Sequence, residues 1–358
     1  MRRWACAPAP SVPLCAASSH EKGPGVPQAV VVREFGGPES LVVEHRGELV
    51  PGPGEVVIDL RAAALNRRDL RVVAGGWPGV TVPLVPGSDG AGVVRALGGG
   101  VNGIAEGDEV VVLPSLDWGD DPRVLGPSFR ILGGPDDGTF AEQVRVPAAN
   151  VFPKPARLPF AHAAALPLAG LTVWRALFTR GGLHSGQSVL VLGAGAGTTT
   201  FAVQIARAAG ARVFVTSSSQ SKITRSLELG AEAGFDYTEE GWEQAVVARS
   251  GGGVDLVLDS AGTWQSSVAC VRAGGRVVVF GGTAGTTAEL DVRGFYFKQI
   301  DVVGTMMGSP VDFRALLRAC ELQTWTPIVD SERPLAEIGD AFRRQAASEQ
   351  FGKLVLTV

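Results

Sequence analysis

Between residues 188 and 281 the sequence switches back and forth between two hydrophobic periods. Apolar runs at 188–192, 212–216, 233–236, 254–259 (VDLVLD) and 276–281 (RVVVFG) read as strands. The stretches between them, 198–209, 220–229, 242–250 and 263–272, carry apolar residues at helical spacing. Strands joined by helices of this length make right-handed crossovers onto a parallel sheet, so the block predicts a doubly wound α/β domain.

The flanks obey other rules. From Ala29 to about Val151, short β-like runs (30–32, 56–60, 92–97, 109–113, 141–147) alternate with glycine and proline, the pattern of a barrel-like all-β unit. Within it, the polar loop from Pro114 to Gly138 is long enough to be a functional cover or a disordered connection. A helical stretch, LTVWRALFTRGGL, leads into the α/β block. Beyond residue 292 come a strand at 300–304, helices at 310–322 and 335–347, and a last strand, KLVLTV.

With 358 residues and 45% hydrophobic content the chain has material for two domains. A formal charge of −4 leaves no footprint for nucleic acid, and no uninterrupted apolar run is long enough to suit a bilayer. Cys6, Cys15, Cys270 and Cys320 contain no CxxC pair, so they spell neither a disulfide framework nor a zinc lobe, and a reducing compartment fits. Residues 1–27, with Arg2, Arg3, many Ala, Ser and Pro and no acid before Glu21, read as a disordered extension or a transit peptide. The cytoplasm is therefore the expected location, with a plastid or mitochondrion as the alternative through residues 1–27.

The turn VLVLGAGAGTTT at 189–200 follows the first strand of the block and opens its first helix. Gly193, Gly195 and Gly197 in that context match a dinucleotide fingerprint, except that Thr198 holds the place of its closing glycine. Phosphate binding tolerates this, because backbone N–H groups and the helix dipole carry it, and Thr198 and Thr199 add hydroxyls nearby. The second strand ends in Ser217, Ser218 and Ser219, where an NAD-binding domain would place an acid on the ribose 2′-hydroxyl. Serines followed by Lys222 and Arg225 suit a 2′-phosphate, so NADPH is the expected coenzyme and NADH less favoured. The competing reading of Lys222 and Arg225 is a solvated helix face.

Several stretches in order along the chain resemble the medium-chain dehydrogenase/reductase superfamily. They are ALNRRDL (64–70), PGSDGAGVV (86–94), GDEVVVLP (107–114), DGTFAEQVRVP (137–147), AALPLAGLTVWRAL (164–177), the glycine turn, DSAG (259–262), GGRVVVFGG (274–282) and FGKLVL (351–356). The resemblance implies a GroES-like β-barrel catalytic domain over 28–152 and 293–358 and a Rossmann NADP-binding domain over 153–292. It also implies a homodimer, with 300–304 as a pairing edge. Zinc-dependent members carry a Cys and a His-Glu pair where this chain has Asn66, Ser88 and Asp89. Asn and Ser are poor zinc ligands, so the chain resembles the zinc-independent, quinone oxidoreductase-like branch and no metal is expected. By the same resemblance Thr172, Phe280, Gly281 and Met306 lie near the nicotinamide, Tyr237 near the adenosine phosphate, and Lys353 in the cleft. Val73 stands where related chains often have a basic residue.

Reduction of a quinone or an enone puts negative charge on a carbonyl oxygen, and the protein must supply orientation and hydrogen-bond donors. Asn66 is the leading donor and Arg67 the second; Asn66 as a turn-stabilising side chain is the alternative. Asp69 reads as structural rather than catalytic. Trp77, Trp118 and Phe129 suit either the wall of an apolar pocket or ordinary packing. Saturated alcohols are poor candidates without zinc or a positioned base. An alcohol dehydrogenase-like enzyme and a non-catalytic nucleotide-binding scaffold remain the alternatives.

Overall fold

The computed structural model describes residues 26–323 and 325–358, so most of the segment 1–27, with Cys6 and Cys15, lies outside the described residues. The α/β block is a six-stranded parallel sheet of Ser188–Val191, Arg212–Ser217, Ala233–Asp236, Val254–Asp259, Val271–Val279 and Asp301–Gly304. Counted along the chain, their spatial order is 3-2-1-4-5-6. The direction of winding reverses between Ser188–Val191 and Val254–Asp259, and sheets of this kind bind ligands in the crevice at the strand ends there. All four residues of Ser188–Val191 are buried, as a strand covered by helices on both faces requires.

The boundary expected at residue 292 falls too early. Asp301–Gly304 pairs with Arg276–Val279 and completes the Rossmann sheet as its edge strand. Irregular chain and one short helix, Val292–Lys298, separate the two strands and interrupt the period that located the others.

The first domain is built on a seven-stranded sheet. Its centre is the long strand Glu55–Ala64, which pairs with Asp89–Leu97, Gln143–Pro147 and Lys353–Thr357. The strand Val329–Pro334 carries the sequence VDSERP and is invisible to hydrophobic patterning. It lies at the sheet edge against Lys353–Thr357, where polar residues and a terminal proline are tolerated. Two helices, Phe160–Ala165 and Pro167–Trp174, join the domains and run into a π-helical turn, Arg175–Arg180. They are apolar nearly all round because they are buried between domains, and Pro167 starts the second where its missing N–H costs nothing.

Candidate active site

The glycine turn depends on the backbone freedom of its glycines. Gly193 (φ 80°) and Gly195 (φ 96°) adopt the left-handed region, and the helix Gly197–Ala208 starts immediately after. Thr199 Oγ1 donates to the Gly193 carbonyl (2.6 Å) and Thr200 Oγ1 to that of Gly197 (2.9 Å), so both hydroxyls close the turn rather than face a ligand. Thr198 is half-buried at the helix start. Two lysine stems press on this turn: a Cβ added to Gly195 would come 2.6 Å from Lys222 Cδ, and one added to Gly197 2.7 Å from Lys353 Cδ. The Gly352 N–H donates to the Gly195 carbonyl at 3.0 Å, which docks the FGKLVL turn of the first domain on the second.

Pairing of Lys353–Thr357 with Glu55–Ala64 in the first domain's own sheet delivers Lys353 to a buried polar cluster. Its Nζ donates to Asn66 Oδ1 (2.6 Å) and to Asp89 Oδ2 (2.9 Å). Asn66 Nδ2 donates to the same Asp89 oxygen (2.9 Å), which leaves one amide N–H. Asp89 Oδ1 accepts the Leu168 N–H at 2.8 Å, so a connecting helix helps hold the carboxylate. Asn66 ends the strand side of the turn and precedes the helix Arg67–Val73, whose Asp69 accepts the Asn66 backbone N–H (2.7 Å). Asp69 is fully buried, and burial pushes its carboxyl up to about 6 against the opposing pull of Arg68 and the Asn66 N–H.

Behind Asn66, Arg68 is buried with Nη1 on Ser88 Oγ (2.7 Å) and the Leu132 carbonyl (3.2 Å), and Nη2 on the Gly134 carbonyl (3.2 Å). Its guanidinium lies over the Trp77 ring, 4.7 Å from the centroid. Each of the four side-chain oxygens of Asn66, Ser88 and Asp89 already accepts a hydrogen bond, three of them directly from Lys353 or Arg68. Among the described residues no group of three or more His, Cys, Asp or Glu side chains is arranged to hold a metal ion.

Two family profiles match the chain: an alcohol dehydrogenase GroES-like domain over residues 52–156 and a zinc-binding dehydrogenase domain over 197–321. A zinc-type alcohol dehydrogenase-like protein of Schizosaccharomyces pombe is 35% identical over 317 residues, covering 86% of this chain and 91% of the relative. The chain is a medium-chain dehydrogenase/reductase. The 2-methylene-furan-3-one reductase of Solanum lycopersicum is 34% identical over 308 residues, 84% of this chain and 71% of its own. Among solved structures, that of an NAD-dependent alcohol dehydrogenase superposes with a TM-score of 0.88 at 39% identity, covering 92% of this chain and 99% of that one. As a medium-chain dehydrogenase/reductase the protein is an NAD(P)H-dependent oxidoreductase with the GroES-like and Rossmann domains that its sequence implies.

In this dehydrogenase/reductase the residues singled out from the sequence divide into groups. Asn66, Asp89 and Lys353 meet in one cluster. Arg67 does not join them: it is exposed and donates to Ser348 Oγ (3.2 Å), while Lys222 donates to the Ser348 carbonyl, which puts both cations on the glycine-turn side. Ser217 Oγ accepts the Ser219 N–H (3.1 Å), and the Tyr237 hydroxyl donates to Ser218 Oγ (3.0 Å). Arg225 stacks on Phe351, 4.0 Å from its centroid, so it is not simply a solvated charge. Phe280 and Gly281 follow the fifth strand half-buried, and a side chain at Gly281 would strike the Ser260 carbonyl. Thr172 donates back to the Leu168 carbonyl within its own helix (2.7 Å). Val73 is core. Trp77, Trp118 and Phe129 form one apolar cluster with Met307 and Leu168, and Trp118 and Phe129 meet edge to face at 5.6 Å.

The ion pair that holds the long loop escaped the sequence reading. Arg175 is buried, with Nη1 on Asp312 Oδ2 (2.6 Å) and on the Pro122 carbonyl (2.9 Å). It thereby ties the loop 114–138 to the helix Pro310–Leu322. The partners lie 137 positions apart, and no local pattern announces them.

Proposed function

We propose that this protein is a metal-free, NADPH-dependent reductase of quinones and α,β-unsaturated carbonyls. When bound, the reduced nicotinamide supplies a hydride to the electrophilic carbon. The chain's own part is to receive the charge that develops on the carbonyl oxygen. The remaining N–H of Asn66 suits that oxygen, and the Lys353 ammonium on Asn66 Oδ1 polarises the amide and strengthens it as a donor. The Asp89 carboxylate fixes both donors and so pre-organises them.

The observation that carries this proposal is the saturated cluster at Asn66, Ser88 and Asp89. A zinc ion there would have to displace Lys353 and sit beside Arg68, so these residues do not fit one. The activity named for the tomato relative, a 2-methylene-furan-3-one reductase, supports the same substrate class. For the coenzyme, support comes from Ser217 to Ser219, the Tyr237 hydroxyl, and the cations Lys222 and Arg67, with no acid at the end of the second strand. The deciding experiment measures oxidation of NADPH and NADH with a naphthoquinone and with an enone, before and after chelation. Faster NADPH turnover unaffected by chelator is expected. Stoichiometric zinc with activity lost on its removal, or an NADH preference like that named for the structural relative, would refute the respective part.

A further inference from the structure

Lys353, Asp89 and Arg68 together leave the Asn66 cluster with one positive charge in excess. The Lys353 ammonium is paired with Asp89 at 2.9 Å, whereas Arg68 directs its Nη donors to the neutral oxygens of Ser88, Leu132 and Gly134. Asp69 decides whether that excess survives. Its side chain is fully buried; Oδ2 accepts the Asn66 backbone N–H at 2.7 Å, and Oδ1 has no hydrogen-bond partner. Arg68 Nη1 stands 3.9 Å from Oδ1, beyond hydrogen-bond reach. The charged groups that face Asp69 are Arg68, Lys353 and Asp89. Arg67 and Arg71 of its own helix are exposed, and on the helix Ile338–Ala346 packed against it Arg343 is paired with Asp340 and Arg344 with Asp330.

A carboxyl with one acceptor bond, no solvent and a cation just out of reach lies close to the balance between its two forms, and burial pushes it up to about 6. Its anion cancels the excess charge on the residue that offers the amide, in an interior where screening is weak. Reduction of a quinone or an enone builds negative charge at that amide, so the anion opposes the transition state. We propose that Asp69 is a positioning residue that grades the oxyanion site through its charge: its uncharged form leaves Asn66 in a net positive field and speeds hydride transfer, and its anion slows it. This deepens the reductase reading above and rests on it for the reaction itself.

The test follows a single turnover of NADPH with an enone in the wild type and in Asp69→Asn. The wild-type rate of hydride transfer is expected to fall about tenfold from pH 5 to pH 7.5, with its midpoint near 6. Asp69→Asn is uncharged throughout, so it should hold the fast rate and exceed the wild type about tenfold at pH 7.5, a gain that a purely structural role does not produce. A wild-type rate without that midpoint overturns the proposal even if the variant fails to fold. So does a variant that keeps the midpoint, or one no faster than the wild type at pH 7.5. Titration of 2,4-dinitrophenolate, ionised over this range, into the NADP+-loaded protein separates the two readings. Affinity that weakens about tenfold from pH 5 to pH 7.5 in the wild type, with no acceptor reduced, keeps the role of Asp69 and sinks the reductase. Affinity and turnover that both ignore pH leave the reductase and remove the role of Asp69.

Discussion

Asn66 shares its amide between Asp89 and Lys353, so its replacement by alanine removes a donor and one of the two acceptors of Lys353 at once. Asn66→Ala should lower kcat by about a hundredfold or more, in line with the loss of one oxyanion donor, with a smaller change in KM. Steady-state kinetics with an enone checks this, and unchanged kcat would leave Asn66 only its turn. Asp69 makes a separate prediction. Its folded carboxyl titrates near 6, above the ordinary 3.8, so its contribution to stability is complete below pH 3.8 and is lost as pH rises through 6. Asp69→Asn keeps an acceptor for the Asn66 N–H and removes the titration. Relative to that variant the wild type should lose about 2–3 kcal/mol between pH 4 and 7, read from urea unfolding at both ends; parallel curves would show that Asp69 does not titrate there. At this scale the sequence was legible where chemistry is local. Asn66 and Lys353 were singled out by residue type within recognisable motifs, and the structure brings them together on Asp89. Arg68 was not, because its partners Leu132 and Gly134 lie more than sixty positions away and nothing near it signals them.

Among elements, periodicity located the strands 233–236 and 254–259 and the helices 242–250 and 310–322 at the bounds the structure has. Each is flanked by a sharp change of hydrophobic period. Where flanks blur, so did the reading: Val329–Pro334 is polar because it is an edge, and Asp301–Gly304 was assigned to the wrong domain because irregular chain precedes it. The loop 114–138 was recognised by its length, but not its anchorage. Asp312 accepts from Arg175, Thr179 and Ser309, so Asp312→Ala leaves a buried guanidinium without its carboxylate. Loss of about 3–5 kcal/mol of stability is expected, with faster proteolysis inside 114–138. Thermal unfolding that matches the wild type would mean the pair is dispensable.

For the molecule as a whole, the homodimer expected from the resemblance would use the strand Asp301–Gly304, which is the sheet edge among the described residues, next to the exposed, stacked Tyr296 and Phe297. Light scattering should give a mass near twice 37.1 kDa, reduced to one chain by Phe297→Glu; a wild-type monomer at micromolar concentration would exclude it. Among the groups that stitch the two domains together is the Lys353 side chain. The stem of Lys353 lies on the Rossmann glycine turn while its head answers Asp89 of its own sheet. Prising the halves apart would leave that ion pair intact and only uncover the lysine stem, so the polar cluster is preassembled within the first domain rather than made by closure.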